Sequence, residues 1–162
     1  MEQGIVSPRE GQQFDVCLAK ASRYCSDRDR CEKEIRRKLN EWHCPVLIHD
    51  QIIGRLKLEG FLDELRYAKN YCRGKFRMNG WGRVKIMASL LQNGISKSMI
   101  HEAFGEIDDD GYQASLKDIL EKKWKVTGGQ GIVRRNKTAV HAISKGYEAS
   151  LVYVMLNQII RQ

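Results

Sequence analysis

Proline is nearly absent from this chain: Pro8 and Pro45 are the only two in 162 residues. Few segments therefore lose a backbone donor inside a helix. Alternating β-branched runs are missing as well, which argues against a sheet protein. No stretch approaches the ~18 consecutive apolar residues of a membrane span. Met1 to Glu10 hold no apolar signal core and read as a polar tail, which makes a cytoplasmic location the expectation. The five cysteines, Cys17, Cys25, Cys31, Cys44 and Cys72, are odd in number and contain no CxxC pair. They point to reduced, mostly buried thiols. A zinc centre drawn from Cys25, Cys31, His43, Cys44 and His49 would lack the paired ligand spacing of such modules. The histidines His43, His49, His101 and His141 show no metal or triad spacing. Thr127-Gly128-Gly129-Gln130-Gly131 lacks the Lys-Ser/Thr ending of a phosphate-binding loop. A protein without catalytic residues, cofactor or metal is expected.

The most informative absence is of acid. No Asp or Glu occurs from Arg66 through His101, a stretch that holds Arg66, Lys69, Arg73, Lys75, Arg77, Arg83, Lys85 and Lys97. A second acid-free stretch, Lys122 to Tyr147, holds Lys122, Lys123, Lys125, Arg134, Arg135 and Lys137. A third cluster, Arg36-Arg37-Lys38, is diluted by Glu32, Glu34 and Glu41. The whole chain carries a net charge of +8. Helical proteins normally intersperse the two signs, so unbroken positive stretches indicate an anionic partner. Nucleic acid, an acidic protein face and an anionic membrane all fit that sign.

What is present is helical. Apolar residues step at helix spacing in Ile35/Leu39, in Leu65/Ala68/Cys72/Phe76, in Tyr112/Leu116/Leu120/Trp124 and in Leu151/Met155/Ile159. Asp29 with Glu32 reads as a capping pair, and Pro45 suits the first turn of a helix. Gly60, Gly80, Gly82, Gly94 and Gly146 punctuate helix ends. Asp108-Asp109-Asp110 favours a positive helix start. Trp81 is expected to pack at a corner where Gly80 and Gly82 give room. Trp42 and Trp124 are expected between repeats, and Tyr67, Tyr71 and Phe76 in the core.

These pieces recur. Lys85 to Gly94 and Lys137 to Gly146 are both helices ending in glycine, about 52 residues apart. Ile35 to Leu39 resembles Ile86 to Leu90, and Ile48 and Ile52 match Ile100 and Phe104 at about the same interval. Three copies of a helix–turn–helix, each preceded by a helix, give about nine helices. The expected division is a flexible tail over 1–13 and repeats over 14–58, 59–107 and 108–162.

Together with these repeats, Leu62-Asp63-Glu64-Leu65-Arg66-Tyr67-Ala68 and Gly80-Trp81-Gly82-Arg83-Val84-Lys85-Ile86 closely resemble the RecX family of recombination regulators. Glu34-Ile35-Arg36-Arg37-Lys38-Leu39 and Glu59-Gly60-Phe61-Leu62 add to the likeness, which runs from about Tyr24 to the C-terminus. The resemblance implies an all-α fold: three tandem three-helix repeats in an elongated, curved monomer. It also implies a regulator that binds the RecA filament on single-stranded DNA and restrains its recombinase, ATPase and coprotease activities. No membrane partner is implied. The residues expected to meet the filament or the DNA are Arg36, Arg37, Arg66, Arg73, Lys75, Arg77, Arg83, Lys85, Lys122, Lys123, Arg134, Arg135 and Lys137. One departure stands out: Trp42-His43 occupies the place of Asn93-Gly94 and Lys145-Gly146, so the first corner is expected to differ. The alternative is a general or sequence-specific DNA-binding helical-repeat protein that acts without RecA. Ser96, Lys97, Ser98 and His101 would then serve at the start of a recognition helix.

Overall fold

The computed structural model describes residues 8–161, and every regular element among them is helical. In chain order these are α1 (Pro8–Asp27), α2 (Glu32–Glu41), α3 (His49–Leu58), α4 (Glu64–Asn79), α5 (Arg83–Gln92), α6 (Lys97–Ala103), α7 (Asp109–Val126), α8 (Gly131–Ser144) and α9 (Ala149–Ile160). Short 3-10 turns, Val46–Ile48 and Phe104–Glu106, precede α3 and follow α6. Helix α1 begins at Pro8, so the tail expected over residues 1–13 is too long: residues 8–13 are helical. Proline at a first helical turn removes a donor that would be unpaired there anyway. Residues 1–7 lie outside the described residues. No helix among the described residues is long and apolar enough to cross a membrane.

The described residues form two compact units. One takes the chain as far as Tyr67 together with Asn93–Ile95; the other takes Ala68–Gln92 and the chain from Ser96 onward. In the first unit, Ala21, Ile35, Leu39, Ile52 and Leu56 are fully buried between α1, α2 and α3. Trp42 packs against this same core, edge-on to Tyr24 at 6.0 Å between ring centroids. These contacts lie within its own three-helix unit, whereas packing between repeats was the expectation. Helix α2 is capped two residues later than expected, by Cys31 and Glu34. The Cys31 amide donates to Glu34 Oε2 at 3.1 Å, while Asp29 is drawn off by Arg66.

The cysteines need a correction too. Cys17 of α1 and Cys44, just past α2, are joined as a disulfide with Cα atoms 6.3 Å apart. Their spacing gave no hint, because pairing depends on which helix faces meet. Cys25, Cys31 and Cys72 remain free and buried. Burial pushes the Cys25 and Cys72 thiols up to about 11, so both are poor nucleophiles.

In the second unit the organising side chain is Tyr112 of α7, 1% exposed. Its ring lies 4.9 Å from Tyr147 and 5.8 Å from Phe76. The Arg83 amide donates to its hydroxyl oxygen at 3.0 Å, and the hydroxyl donates to Glu148 Oε2 at 2.7 Å. Both polar capacities of a buried phenol are thus met, avoiding the penalty of an orphaned group. Helix α7 starts as expected, with Asp108 accepting from the Gly111 amide at 2.8 Å.

Each second helix ends in a left-handed residue: His43 at φ 56°, Gly94 at 84° and Gly146 at 95°. The first corner therefore does not differ in conformation, only in the residue that adopts it. His43 and Cys44 amides donate to Asn40 and Leu39, as Gly146 and Tyr147 amides do to Ile143 and Ala142. This is the usual helix-terminating pair of hydrogen bonds. Burial also shifts the expected match of the following helices by one residue. His49, not Ile48, is buried like Ile100 and Val152, and Ile52 corresponds to Ala103 and Met155. An amphipathic stripe moved by one position still looks amphipathic, so spacing alone could not settle the register.

A residue with a Cβ is strained in the left-handed region. His43→Gly is therefore expected to stabilise the protein by roughly 0.5–1 kcal/mol, after allowing for the freer unfolded chain. A raised urea midpoint with an unchanged slope would show it. A lowered midpoint would mean that the exposed imidazole makes a stabilising contact.

Candidate polyanion-binding surface

The first acid-free stretch is not free of acid in space. Arg66 pairs with Asp29 at 2.7 Å, Lys69 with Glu102 at 2.9 Å and Arg73 with Glu106 at 3.2 Å. Arg83 pairs with Asp109, donates to the Ile107 carbonyl at 3.4 Å and stacks over Tyr112 at 4.3 Å. It is a fastener between α5 and the start of α7. In the first unit, Arg36 bridges Glu32 and Asp50, both at 2.7 Å, and Arg37 lies 3.6 Å from Glu41. Exposed pairs of this kind add only about 0–1 kcal/mol each. Their larger effect is to cancel local positive charge.

What survives of that stretch gathers at the α4–α5 corner. Lys75 and Lys85 lie 4.8 Å and 4.5 Å from the Trp81 ring centroid, and Arg77 is exposed with no acidic partner among the described residues. The Trp81 amide donates to the Lys75 carbonyl at 3.1 Å. Cations over an indole are held by its quadrupole without losing their charge. Trp81 thus anchors a small positive patch, a role beyond the hinge packing expected of it. Tyr71 donates to or accepts from Ser89 at 2.6 Å and, like Tyr67 and Phe76, belongs to packing.

The second acid-free stretch keeps its charge. Lys122 is paired with Asp118 at 2.7 Å. Arg134 is structural: it donates to the Trp124 carbonyl at 3.1 Å and stacks on the Trp124 ring at 4.1 Å, tying α8 to the end of α7. These Trp124 contacts join α7 to α8 within the third repeat, where packing between repeats was the expectation. Arg135 lies over Tyr153 at 5.0 Å. Lys123, Lys125, Lys137 and Lys145 meet no carboxylate among the described residues.

Two of these lysines open onto a cleft of about 630 Å³ between α7 and α8, lined by Lys123, Val126, Thr127, Gly128, Asn136, Lys137, Val140 and His141. Burial, with Lys123 and Lys145 beside it, holds the His141 imidazole below its ordinary range. Neither His141 nor Lys145 is among the residues that the sequence places at a binding surface. The signal existed: both lie in the acid-free stretch, and His141 sits one turn after Lys137. Ser96, of the rival recognition-helix reading, uses its hydroxyl as a cap, accepting from the Met99 amide at 3.3 Å. A separate cleft of about 490 Å³ has Val84, Met87, Ala88, Leu91 and Phe104 in its wall.

Comparison with known proteins bears on family and fold. The profile described as "RecX, first three-helix domain" matches residues 17–56, and "RecX, second three-helix domain" matches residues 63–103. The "Regulatory protein RecX" of Prosthecochloris aestuarii is 26% identical over 143 residues, covering 88% of this chain and 93% of that one. That of Finegoldia magna is 30% identical over 143 residues, covering 85% and 66%. The crystal structure of RecX from Lactobacillus salivarius superposes with a TM-score of 0.84 at 18% identity, covering 94% of this chain and 99% of that one. A second solved structure, "regulatory protein RecX", gives 0.82 at 24% identity, covering 90% and 72%. At such identities the two structures bear on fold alone, and they agree on a helical repeat.

Proposed function

The chain belongs to the RecX family of regulatory proteins, and from that premise we propose that it binds the RecA filament on single-stranded DNA. Docked there, as a monomer in the cytoplasm, it restrains the filament's recombinase, ATPase and coprotease activities without chemistry of its own. The observation that carries this reading is the set of lysines on α7 and α8 that no carboxylate among the described residues neutralises. Cations left unpaired in a folded protein are available to a polyanion, and a protein–DNA filament is a dense one. Lys75, Arg77 and Lys85 around Trp81 extend the same sign. The repeats 14–58, 59–107 and 108–162 would serve as successive docking units.

The purified protein should suppress RecA's DNA-dependent ATPase, and the suppression should weaken steeply with added salt. Unchanged ATPase and strand exchange at saturating protein would end this reading. Equal affinity for naked and RecA-coated single strands would favour a DNA-binding repeat protein acting without RecA.

A further inference from the structure

The α7–α8 cleft has two kinds of lining. Lys123, Lys137 and His141 supply positive or protonatable groups, and Thr127 and Asn136 supply hydrogen-bonding ones. Val126 and Val140 form an apolar wall and are 78% and 60% exposed. No carboxylate takes part. A nucleotide has the same division, an anionic phosphate joined to a sugar and a flat base. Lysine presents a compact point charge that phosphate accepts without the fixed geometry an arginine fork imposes. Of the two arginines of this stretch, Arg134 is already engaged with the Trp124 carbonyl and ring, and Arg135 lies over Tyr153 outside the cleft lining. At about 630 Å³ the cleft falls in the range of small-ligand sites.

We propose that this cleft seats one nucleotide of a single-stranded nucleic acid, with its phosphate on Lys123 and Lys137 and its base or sugar on Val126 and Val140, and that His141 takes up a proton as the phosphate arrives. The proposal deepens the reading above and relies on it only for the choice of a single strand. The charged groups facing His141 are Lys123 from α7 and Lys145 from the end of α8, with Lys137 one turn earlier in the same cleft. All are cations. Together with burial they keep the imidazole neutral near pH 7 in the free protein. A phosphate placed among them reverses the local sign and favours the imidazolium. The bound imidazole therefore titrates at higher pH than the free one. Between those two values, affinity rises as pH falls, by up to about tenfold per pH unit. Outside that window it is flat.

The test is fluorescence anisotropy of a labelled oligothymidylate with the full chain, without RecA, from about pH 8 down to about pH 6 at fixed ionic strength. Wild type should tighten at least roughly threefold across that range. His141→Gln should lose the pH slope whatever its absolute affinity, with an unchanged melting curve confirming its fold. Lys137→Gln should bind more weakly at every pH, and its salt slope should fall by about 0.7. Lys20→Gln, an exposed cation on α1, should keep both slopes. A pH slope that survives in His141→Gln overturns the proposal. So does displacement of the oligomer by polyglutamate at equal charge, which would make this an acidic-peptide site. Equally tight binding of free thymidine monophosphate also overturns it, in favour of a mononucleotide pocket. ATPase suppression measured separately keeps the two readings apart: suppression without oligonucleotide binding sinks the cleft and leaves the filament reading standing.

Discussion

Gly82→Ala lowers the unfolding free energy by roughly 4 kcal/mol or more in guanidinium titration. A Cβ on Gly82 would stand 2.2 Å from the Gly146 carbonyl oxygen and 2.4 Å from the Tyr147 nitrogen, both backbone atoms. Backbone cannot swing aside as a side-chain tip can, so the α4–α5 and α8–α9 corners must separate. That breaks the Gly82 amide to Lys145 carbonyl bond of 2.8 Å and the Val84 amide to Gly146 carbonyl bond of 3.0 Å. Overpacking costs about 1–3 kcal/mol, and each buried backbone group left unpaired adds about as much again. Gly94→Ala is the control. Gly94 has a φ of 84°, but a Cβ there would meet nothing within 4 Å, so it carries only the left-handed penalty of about 1 kcal/mol. Equal losses at the two positions would mean that the corners are not in close contact in solution.

Those two glycines show what a sequence can and cannot disclose. Their shared role as corner residues was legible, because both punctuate helical apolar stripes that recur at the repeat interval. The different reasons behind them were not. Gly94 is needed for its own dihedral, whereas Gly82 is needed because another chain segment approaches it, and no local pattern records that approach. His43 is the converse case: a corner in the left-handed region with no glycine to announce it. Helix content, the Asp108 cap and the buried stripes of α2, α5 and α7 came from local chemistry, and they hold. The Cys17–Cys44 link and the shifted cap of α2 depended on which faces meet.

Charge was read with the same limit. A window without acid says nothing about acids that other elements bring to it. Asp29 reaches Arg66, while Glu102, Glu106 and Asp109 reach Lys69, Arg73 and Arg83. Around α7 and α8 the nearby acids are engaged within α7 itself, Glu121 by Lys117 and Asp118 by Lys122. The two stretches look alike as strings and differ as surfaces.

That difference separates structural from binding cations by experiment. The triple reversal Lys123→Glu, Lys125→Glu, Lys137→Glu should raise the concentration needed for half-maximal suppression of RecA ATPase on the order of 100-fold. Three lost phosphate contacts should also flatten the salt slope by about 2. Stability should change by no more than about 0.5 kcal/mol, since none of the three has an acidic partner to lose among the described residues. A matched reversal of Lys20, Arg23 and Lys97, exposed and outside both candidate patches, removes the same amount from the net charge of +8. It tests whether long-range attraction alone accounts for the effect. Arg83→Glu belongs to the opposite class. It strips Asp109 and the Ile107 carbonyl of their donor and sets an acid against an acid. Its loss of suppression should therefore track its loss of folded protein as temperature rises, whereas the lysine triple should fail while fully folded. If the matched reversal were as damaging as the triple, the α7–α8 lysines would be contributors to overall charge, and the binding surface would have to be sought around Trp81.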